Sequence, residues 1–346
     1  MNNFIYENRT KVYFGQGCVK EFLACLVRDA GNIMLAYGQG SVKRNGIYDE
    51  VLNILMKEGK HVTEFPGIMP NPTYQKVMEG ARLAREEKTE MILGVIVTTA
   101  GTGSECNGAA VITNEEQKVK TGHDYPKCNP VFALMDPAYT FSVPGGQMVS
   151  GAFDSLSHMM ETYFSEPDEQ NVSDEISEAL MRSVIKNIRQ AVRDPKDYAA
   201  RSNLLWNSAL SENRLIKLGK RCDFACHLME HQLSAYTGCS HSQGMAVLQP
   251  VYYRHIYRDG LDKFARFAEN VWMIPGEGRS REELAEAGVH ALADLIRETG
   301  LPARLREIGI KGQGQLKEIA DSCHYSPGAY RKLGAEEILE IFRECF

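Results

Sequence analysis

Up to about residue 143 the chain switches repeatedly between short apolar runs and amphipathic stretches, as a parallel sheet with crossover helices requires. Asn32-Ile33-Met34-Leu35-Ala36-Tyr37 is a continuous apolar run that reads as a buried strand, and Gly38-Gln39-Gly40-Ser41 is the turn that ends it. Residues 45–58 then follow a helical period. Residues 62–65 predict a second strand, Pro70-Asn71-Pro72-Thr73 a rigid turn, and residues 74–87 the helix that this turn starts. Residues 91–98 read as a strand. So does Phe132-Ala133-Leu134-Met135, closed by Asp136-Pro137 because a residue before proline is pushed out of the helical region.

After Pro144 strand-like runs become rare and helical periodicity takes over. Helices are predicted over residues 147–163, 174–192, 198–210, 222–236, 261–271 and 281–298. In the second of these, Ile176, Leu180, Val184, Ile188 and Val192 recur every four residues and mark one buried face. The chain therefore divides into an α/β domain, residues 1–143, and an all-helical domain, residues 144–346.

The length agrees with that division, since 346 residues exceed the roughly 150 expected of one domain. Hydrophobic residues at 43% and charged residues at 24% are ordinary globular composition and exclude a disordered or collagen-like chain. Thirty-nine basic against forty-five acidic residues give a net charge of −6, which offers nothing to attract nucleic acid or an anionic membrane surface. Small-molecule partners are expected. No run approaches the ~18 to 20 apolar residues that span a bilayer. The N-terminus, Met1-Asn2-Asn3-Phe4-Ile5-Tyr6-Glu7, lacks the basic and apolar segments of a secretory signal, so a cytoplasmic location is expected. Nine cysteines, an odd number, read as reduced thiols, and Cys222, Cys226 and Cys239 lack the C-x2-C spacing of zinc modules.

Candidate chemistry collects in the helical half. Asp154 and His158 are four apart on a predicted helix and share a face, a spacing that serves a surface pair as readily as a chelating one. His227, His231 and His241 crowd into fifteen residues of a chain with nine histidines, and the turn Gly238-Cys239-Ser240 can return His241 towards the first two. A lone histidine there reads as a satisfied core imidazole; several, with an aspartate, suit a divalent ion. In the α/β half, Gly38-Gln39-Gly40-Ser41 and Thr98-Thr99-Ala100-Gly101-Thr102-Gly103-Ser104-Glu105 each follow a predicted strand and offer amides and hydroxyls suited to phosphates. A plain turn and a plain loop are the competing readings, because the usual dinucleotide fingerprint is incomplete.

Taken together, Asp154-x3-His158, His227, His231, His241 and the Thr98 to Glu105 run resemble the iron-containing (group III) alcohol dehydrogenases over almost the whole chain. The similarity extends to their NADPH-dependent butanol dehydrogenase and aldehyde reductase branch through Tyr37-Gly38-Gln39-Gly40-Ser41-Val42-Lys43, Pro70-Asn71-Pro72 and Val111-Ile112-Thr113-Asn114. The resemblance implies a dehydroquinate synthase-like architecture: a Rossmann-like N-terminal domain, an all-α C-terminal domain and a catalytic metal in the cleft between them. It implies that Asp154, His158, His227 and His241 bind a divalent metal, Fe2+ or Zn2+, and that His231 relays a proton. For the cofactor it implies contacts from Gly38, Gln39, Gly40, Ser41, Thr98, Thr99, Thr102 and Ser104. It also implies a lysine contact, for which Lys120 is chosen over Lys118. Relatives that use NAD tend to carry an acidic residue where Gln39 stands here, so NADP(H) is expected. A homodimer through the strand around Val12-Tyr13-Phe14 is implied as well.

One departure bears on function. Members of the family continue from a strand like Met91-Ile92-Leu93-Gly94-Val95 into a Gly-Gly-Gly-Ser turn, a helix and a loop, whereas here Val95 runs straight into Ile96-Val97-Thr98-Thr99. The missing turn is the one that binds the cofactor's diphosphate in relatives, so weaker cofactor binding and an uncovered sheet face are expected. The expected function is hydride transfer between NADP(H) and an aldehyde/primary alcohol pair. The alternative is a metal-binding family member with weak or absent dehydrogenase activity. Glycerol dehydrogenase-like or dehydroquinate synthase-like chemistry fits the ligand set less well.

Overall fold

The computed structural model describes residues 1–90, 93–167, 169–323 and 330–346. Two units form: one comprises Asn8–Thr99 and Ser104–Val143, the other Met1–Glu7, Ala100–Gly103 and Pro144–Phe346. The first runs β1 (Lys11–Phe14), α1 (Cys18–Leu26), β2 (Asn32–Ala36), α2 (Ser41–Arg44), α3 (Ile47–Lys57), β3 (His61–Phe65), α4 (Tyr74–Glu86), β4 (Gly94–Ile96), β5 (Ala109–Asn114), β6 (Val119–Asp124) and β7 (Phe132–Met135). Thr73 starts α4 by accepting the Lys76 amide at 3.2 Å, as an N-cap threonine does.

Strand β7 is the centre of a parallel sheet ordered β1-β7-β4, and all four of its residues are buried. Helices α1 and α3 cover it with Val19, Leu23, Val51 and Leu55, packed on Phe132 and Leu134. Burial of each such side chain contributes roughly 1.5–3 kcal/mol. β2 and β3 form a separate parallel pair, and β5 and β6 an antiparallel hairpin. The apolar pattern does not announce that hairpin, because three of the six residues in β5 are exposed. Its turn is made instead by Asn114, whose side chain accepts the Gln117 amide at 3.1 Å, and by the left-handed backbone of Lys118 (φ 51°).

The strand expected over residues 91–98 is confined to β4, three residues long; Met91 and Ile92 lie outside the described residues. Parallel strands are ordinarily covered on both faces. Here Gly94 is exposed, and Val95 and Ile96 are only half-buried. A Cβ at position 94 would stand 2.1 Å from Phe132 Cζ, so the aromatic ring of the neighbouring strand occupies the space that any side chain there would need.

The helical unit runs α5 (Gly145–Tyr163), α6 (Val172–Arg193), α7 (Tyr198–Glu212), α8 (Ala225–Thr237), α9 (His241–Ile256), α10 (Leu261–Asn270), α11 (Arg281–Glu298), α12 (Leu316–Asp321) and α13 (Ala335–Glu344). Caps define several starts: Asn171 for α6, Asp197 for α7, and Ser280 with Glu283 as a capping box for α11. The face read along α6 needs correction. Val184 and Ile188 are buried, but Val192 is 44% exposed, and the buried side also holds Ser173, Asp174, Ser177 and Glu178. Steps of four drift by about 40° each around a helix of 3.6 residues per turn, so five residues so spaced cannot stay on one face. α9 was not predicted, because Gly244 and Pro250 lie inside it; its burial against neighbours outweighs their poor propensity. Among the described residues no helix is long and apolar enough to cross a membrane. The nine cysteines are all free.

Candidate metal centre

Helix α5 is buried along most of its length and carries Asp154 and His158 one turn apart. Its Gly151 admits a close backbone approach: a Cβ there would lie 2.1 Å from the Ala100 carbonyl oxygen. The segment Ala100–Gly103 is fastened there by the Gly101 amide donating to Ser208 Oγ at 2.7 Å and by Ser155 Oγ donating to the Gly101 carbonyl at 2.9 Å. Gly101 thereby comes beside Asp154, since a Cβ on it would be 3.9 Å from Asp154 Oδ2.

Helix α8 brings His227 in its first turn and His231 in its second. Gly238, in the left-handed conformation at φ 70°, ends α8 and reverses the chain, so that His241 opens α9. The ring centroids of His158 and His227 are 4.6 Å apart and stacked, those of His227 and His241 5.2 Å apart. His241 Nε2 lies 3.5 Å from Asp154 Oδ1. Asp154, His158, His227 and His241 each offer a ligand atom within 4.8 Å of the others. His158 Nδ1 and His227 Nε2 are buried without a hydrogen-bond partner. His231 sits beside this group, its centroid 5.3 Å from that of His241, and joins Glu230 and His241 in a second, overlapping cluster.

Two carboxylates escaped the sequence reading. Glu161, one turn beyond His158 on α5, meets His227 Nδ1 and accepts the amides of Cys226 (2.7 Å) and His227 (3.2 Å). Glu230 meets His241 Nδ1. Both are fully buried, Glu161 at 1% exposure and Glu230 at 0%. The available signal was an acidic residue within apolar Met159-Met160-Glu161-Thr162-Tyr163, three positions after a candidate ligand.

Burial holds the His227 imidazole well below its ordinary range, with the nearby His241 charge acting the same way, and burial also lowers His158. Both rings are thus neutral at pH 7, the form that ligates metals. Burial pushes Glu161 up to about 8 against the opposing amides of Cys226 and His227; a bound cation favours its charged form.

The nucleotide candidates are distributed between the units. Gly38, Gln39 and Gly40 follow the carboxyl end of β2, where Gly40 adopts φ 95° and Ser41 opens α2. A carboxylate does stand beside this turn, from the neighbouring strand rather than from position 39: Glu64 on β3 meets the Tyr37 hydroxyl and pairs with Lys43 at 2.9 Å. Hydrogen bonds from Tyr37, Tyr48 and Lys43 hold Glu64 down at about 2. Lys43 also lies 4.2 Å from the Tyr48 ring centroid. Thr98 is half-buried and Thr99 and Ser104 are exposed after β4, whereas Thr102 is exposed on the segment fastened to α5. Lys120 is buried on β6 opposite Thr113, while Lys118 lies in the hairpin turn. Glu105 follows in a buried turn, with Oε1 unpartnered and the carboxyl pushed up to about 7 by burial.

The arrangement on α5, α8 and α9 suits a metal ion, and comparison with known proteins supplies the family. The profile described as "Fe-containing alcohol dehydrogenase family, C-terminal" matches residues 148–346, and that of "Iron-containing alcohol dehydrogenase" matches residues 9–95 and 93–137. NADH-dependent butanol dehydrogenase A of Clostridium acetobutylicum is 33% identical over 391 aligned positions, covering all of both chains. NADPH-dependent aldehyde reductase YqhD of Escherichia coli is 30% identical over 355 positions, covering 90% of each. The crystal structure of NADH-dependent butanol dehydrogenase A from Thermotoga maritima superposes with a TM-score of 0.93 at 31% identity, covering 100% of this chain and 99% of that one. The chain belongs to the iron-containing alcohol dehydrogenase family and is an oxidoreductase of that family, with its α/β N-terminal and helical C-terminal architecture. The 391 aligned positions exceed its 346 residues by 45, and the family match breaks at residues 93–95, where Val95 meets Ile96.

Proposed function

We propose that the chain interconverts an aldehyde and a primary alcohol with NADP(H), using one divalent cation, Fe2+ or Zn2+, held by Asp154, His158, His227 and His241. One observation carries the reading: four side chains each offer a ligand atom within 4.8 Å of the others, among them the His227 imidazole, whose buried Nε2 makes no hydrogen bond. A buried polar atom left unsatisfied costs about 1–3 kcal/mol, a cost that coordination removes. Three imidazoles and a carboxylate suit Fe2+ and Zn2+ alike. A divalent ion held by these four residues would supply Lewis acidity towards a carbonyl oxygen, and NADP(H) would supply the hydride.

The chain's own groups do the rest. Three neutral ligands and one anionic ligand leave a bound dication net positive. His231, buried beside His241, holds the proton that the alkoxide oxygen takes up. Gly38, Gln39, Gly40 and Ser41, with the hydroxyls of Thr98, Thr99, Thr102 and Ser104, serve the nucleotide, and Lys120 contributes a cation to it. Lys43 and Ser41 favour a 2′-phosphate over the bare ribose, because Lys43 offsets Glu64. Small aldehydes such as butanal are the substrates that the relatives' names support. A cytoplasmic location and a homodimer complete the proposal; β1, an edge strand with Phe14 exposed, is the dimerisation strand.

The 45 positions without counterpart favour a second reading, a metal-binding family member that turns over poorly. Fluorescence titration of metal-loaded protein with NADPH, followed by butanal-dependent loss of absorbance at the NADPH band, separates them. Saturable binding with aldehyde-dependent oxidation supports the enzyme. Metal-loaded protein that does not bind NADPH supports the second reading.

A further inference from the structure

The third imidazole of the site differs from the other two in what stands behind it. His227 and His241 each have a buried carboxylate on Nδ1, Glu161 and Glu230 respectively. His158 has none: its own Nδ1 is buried without a partner. An imidazole whose Nδ1–H donates to a carboxylate is locked into one tautomer and one ring orientation, with the Nε2 lone pair directed away from that carboxylate. His227 Nε2 is the buried nitrogen that makes no hydrogen bond, and His241 Nε2 is the one that faces Asp154.

We infer that Glu161 and Glu230 are positioning residues that hold His227 and His241 as Nδ1–H tautomers and present their Nε2 atoms to the cation. The inference rests on the metal reading proposed above.

Local structure shows how each glutamate is fixed. α8 begins at Phe224 in the left-handed conformation, φ 55°, with no side-chain cap of its own. Glu161 reaches across from α5 and accepts the amides of Cys226 and His227 at 2.7 and 3.2 Å, so one carboxylate caps the helix and orients the ring of its third residue. Helix start and ligand are therefore set by the same group. Glu230 is held by a different device. Gly244 on α9 lies against it: a Cβ at position 244 would stand 2.8 Å from Glu230 Cγ and 2.9 Å from Oε1. Glycine at 244 leaves the room in which Glu230 meets His241.

The test uses Glu161→Gln, Glu230→Gln and Gly244→Ala in the full chain, with Asp154→Asn as the ligand control. Co2+ is titrated into each protein, its visible absorption recorded, and its affinity measured by competition with a chelator. Loss of a group behind a metal ligand typically costs 10–100-fold in metal affinity. Each Glu→Gln variant is therefore expected to weaken Co2+ binding roughly 10–100-fold and to shift the absorption band, while circular dichroism stays that of the parent. Gly244→Ala, which displaces Glu230 without removing it, is expected to reproduce the Glu230→Gln band shift. Glu161→Asp, which keeps the charge, should recover part of the loss. Parent-like affinity and spectrum in both Gln variants would overturn the positioning role even if Asp154→Asn abolishes binding. Binding of two Co2+ per chain, one of them lost in Glu230→Gln, would overturn it too, by making Glu230 a ligand. A parent protein that binds no Co2+ would remove the metal reading itself, and the inference with it.

Discussion

On the proposed function the helical unit and the α/β unit carry different parts of the chemistry, and they are not equally complete. From residue 148 to the end the family match is unbroken, and α5, α8 and α9 bring four candidate ligand atoms together inside a packed core. In the α/β unit the match is broken at residues 93–95, β4 is three residues long and half-exposed, and the parallel strands fall into two separate sheets. A site made from side chains on packed helices stays whole while those helices stay packed. A phosphate site made from a turn and a helix N-terminus at the end of a strand disappears with a single connection. Metal binding and cofactor binding should therefore fail separately in this protein.

The largest effect is expected from damage to the helical unit. Losing a metal ligand removes several kcal/mol of transition-state stabilisation, so Asp154→Asn and His241→Ala should lower kcat on the order of 1,000-fold at 1.36 kcal/mol per decade. NADPH affinity, measured by fluorescence titration, should hold within a factor of two or so. Equal losses in turnover and cofactor binding would show that the two functions are not separable.

The next effect belongs to the α/β unit and concerns pH. Glu105 titrates near 7 in the folded chain, above the ordinary 4.5, because its carboxyl is buried. The folded state therefore keeps a proton that the unfolded state gives up between about 4.5 and 7. The stability contributed by that proton is fully present below about 4.5 and is lost as pH rises through 7. At pH 8 Glu105→Gln should exceed the parent by up to roughly 3 kcal/mol, an advantage absent at low pH. Thermal melts of both proteins from pH 4.5 to 8 check this; a constant difference in Tm contradicts it.

Two smaller effects concern the cofactor. Inserting a relative's Gly-Gly-Gly-Ser turn and following helix between Val95 and Ile96 should tighten NADPH binding by about 2 kcal/mol, roughly 30-fold in Kd, through amides and helix dipole directed at the diphosphate. An unchanged Kd would mean that the shortened unit binds the cofactor by other means. Lys43→Ala should raise the KM for NADPH roughly fivefold and that for NADH less, since it deletes a cation and releases the Glu64 carboxylate beside the turn. Equal changes for both cofactors would contradict a role at the 2′-phosphate.

Much of this was legible in the residues. The apolar runs at β2 and β7, the turn Pro70-Asn71-Pro72-Thr73 before α4 and the histidine-rich segment of α8 each carry a local signal that tertiary packing does not reverse. What escaped depends on space rather than on order along the chain. Glu161 reaches the start of α8 from α5, sixty-six positions from the ring it contacts, and Glu64 reaches the Gly38 turn from the adjacent strand. α9 was hidden by Gly244 and Pro250, residues that weaken a helix in isolation; Gly244 is also what leaves space for Glu230. The β5–β6 hairpin was hidden because its strands are largely exposed and its turn has no Asn-Gly or Asp-Gly pair.

The four-residue metal site is tested by an anomalous difference map, collected at the metal edge from crystals of the full chain loaded with Zn2+ or, without oxygen, with Fe2+. One peak per chain is expected, within coordination distance of Asp154, His158, His227 Nε2 and His241 Nε2. A peak among Glu230, His231 and His241 instead, or no peak in protein that elemental analysis shows to be loaded, would contradict it.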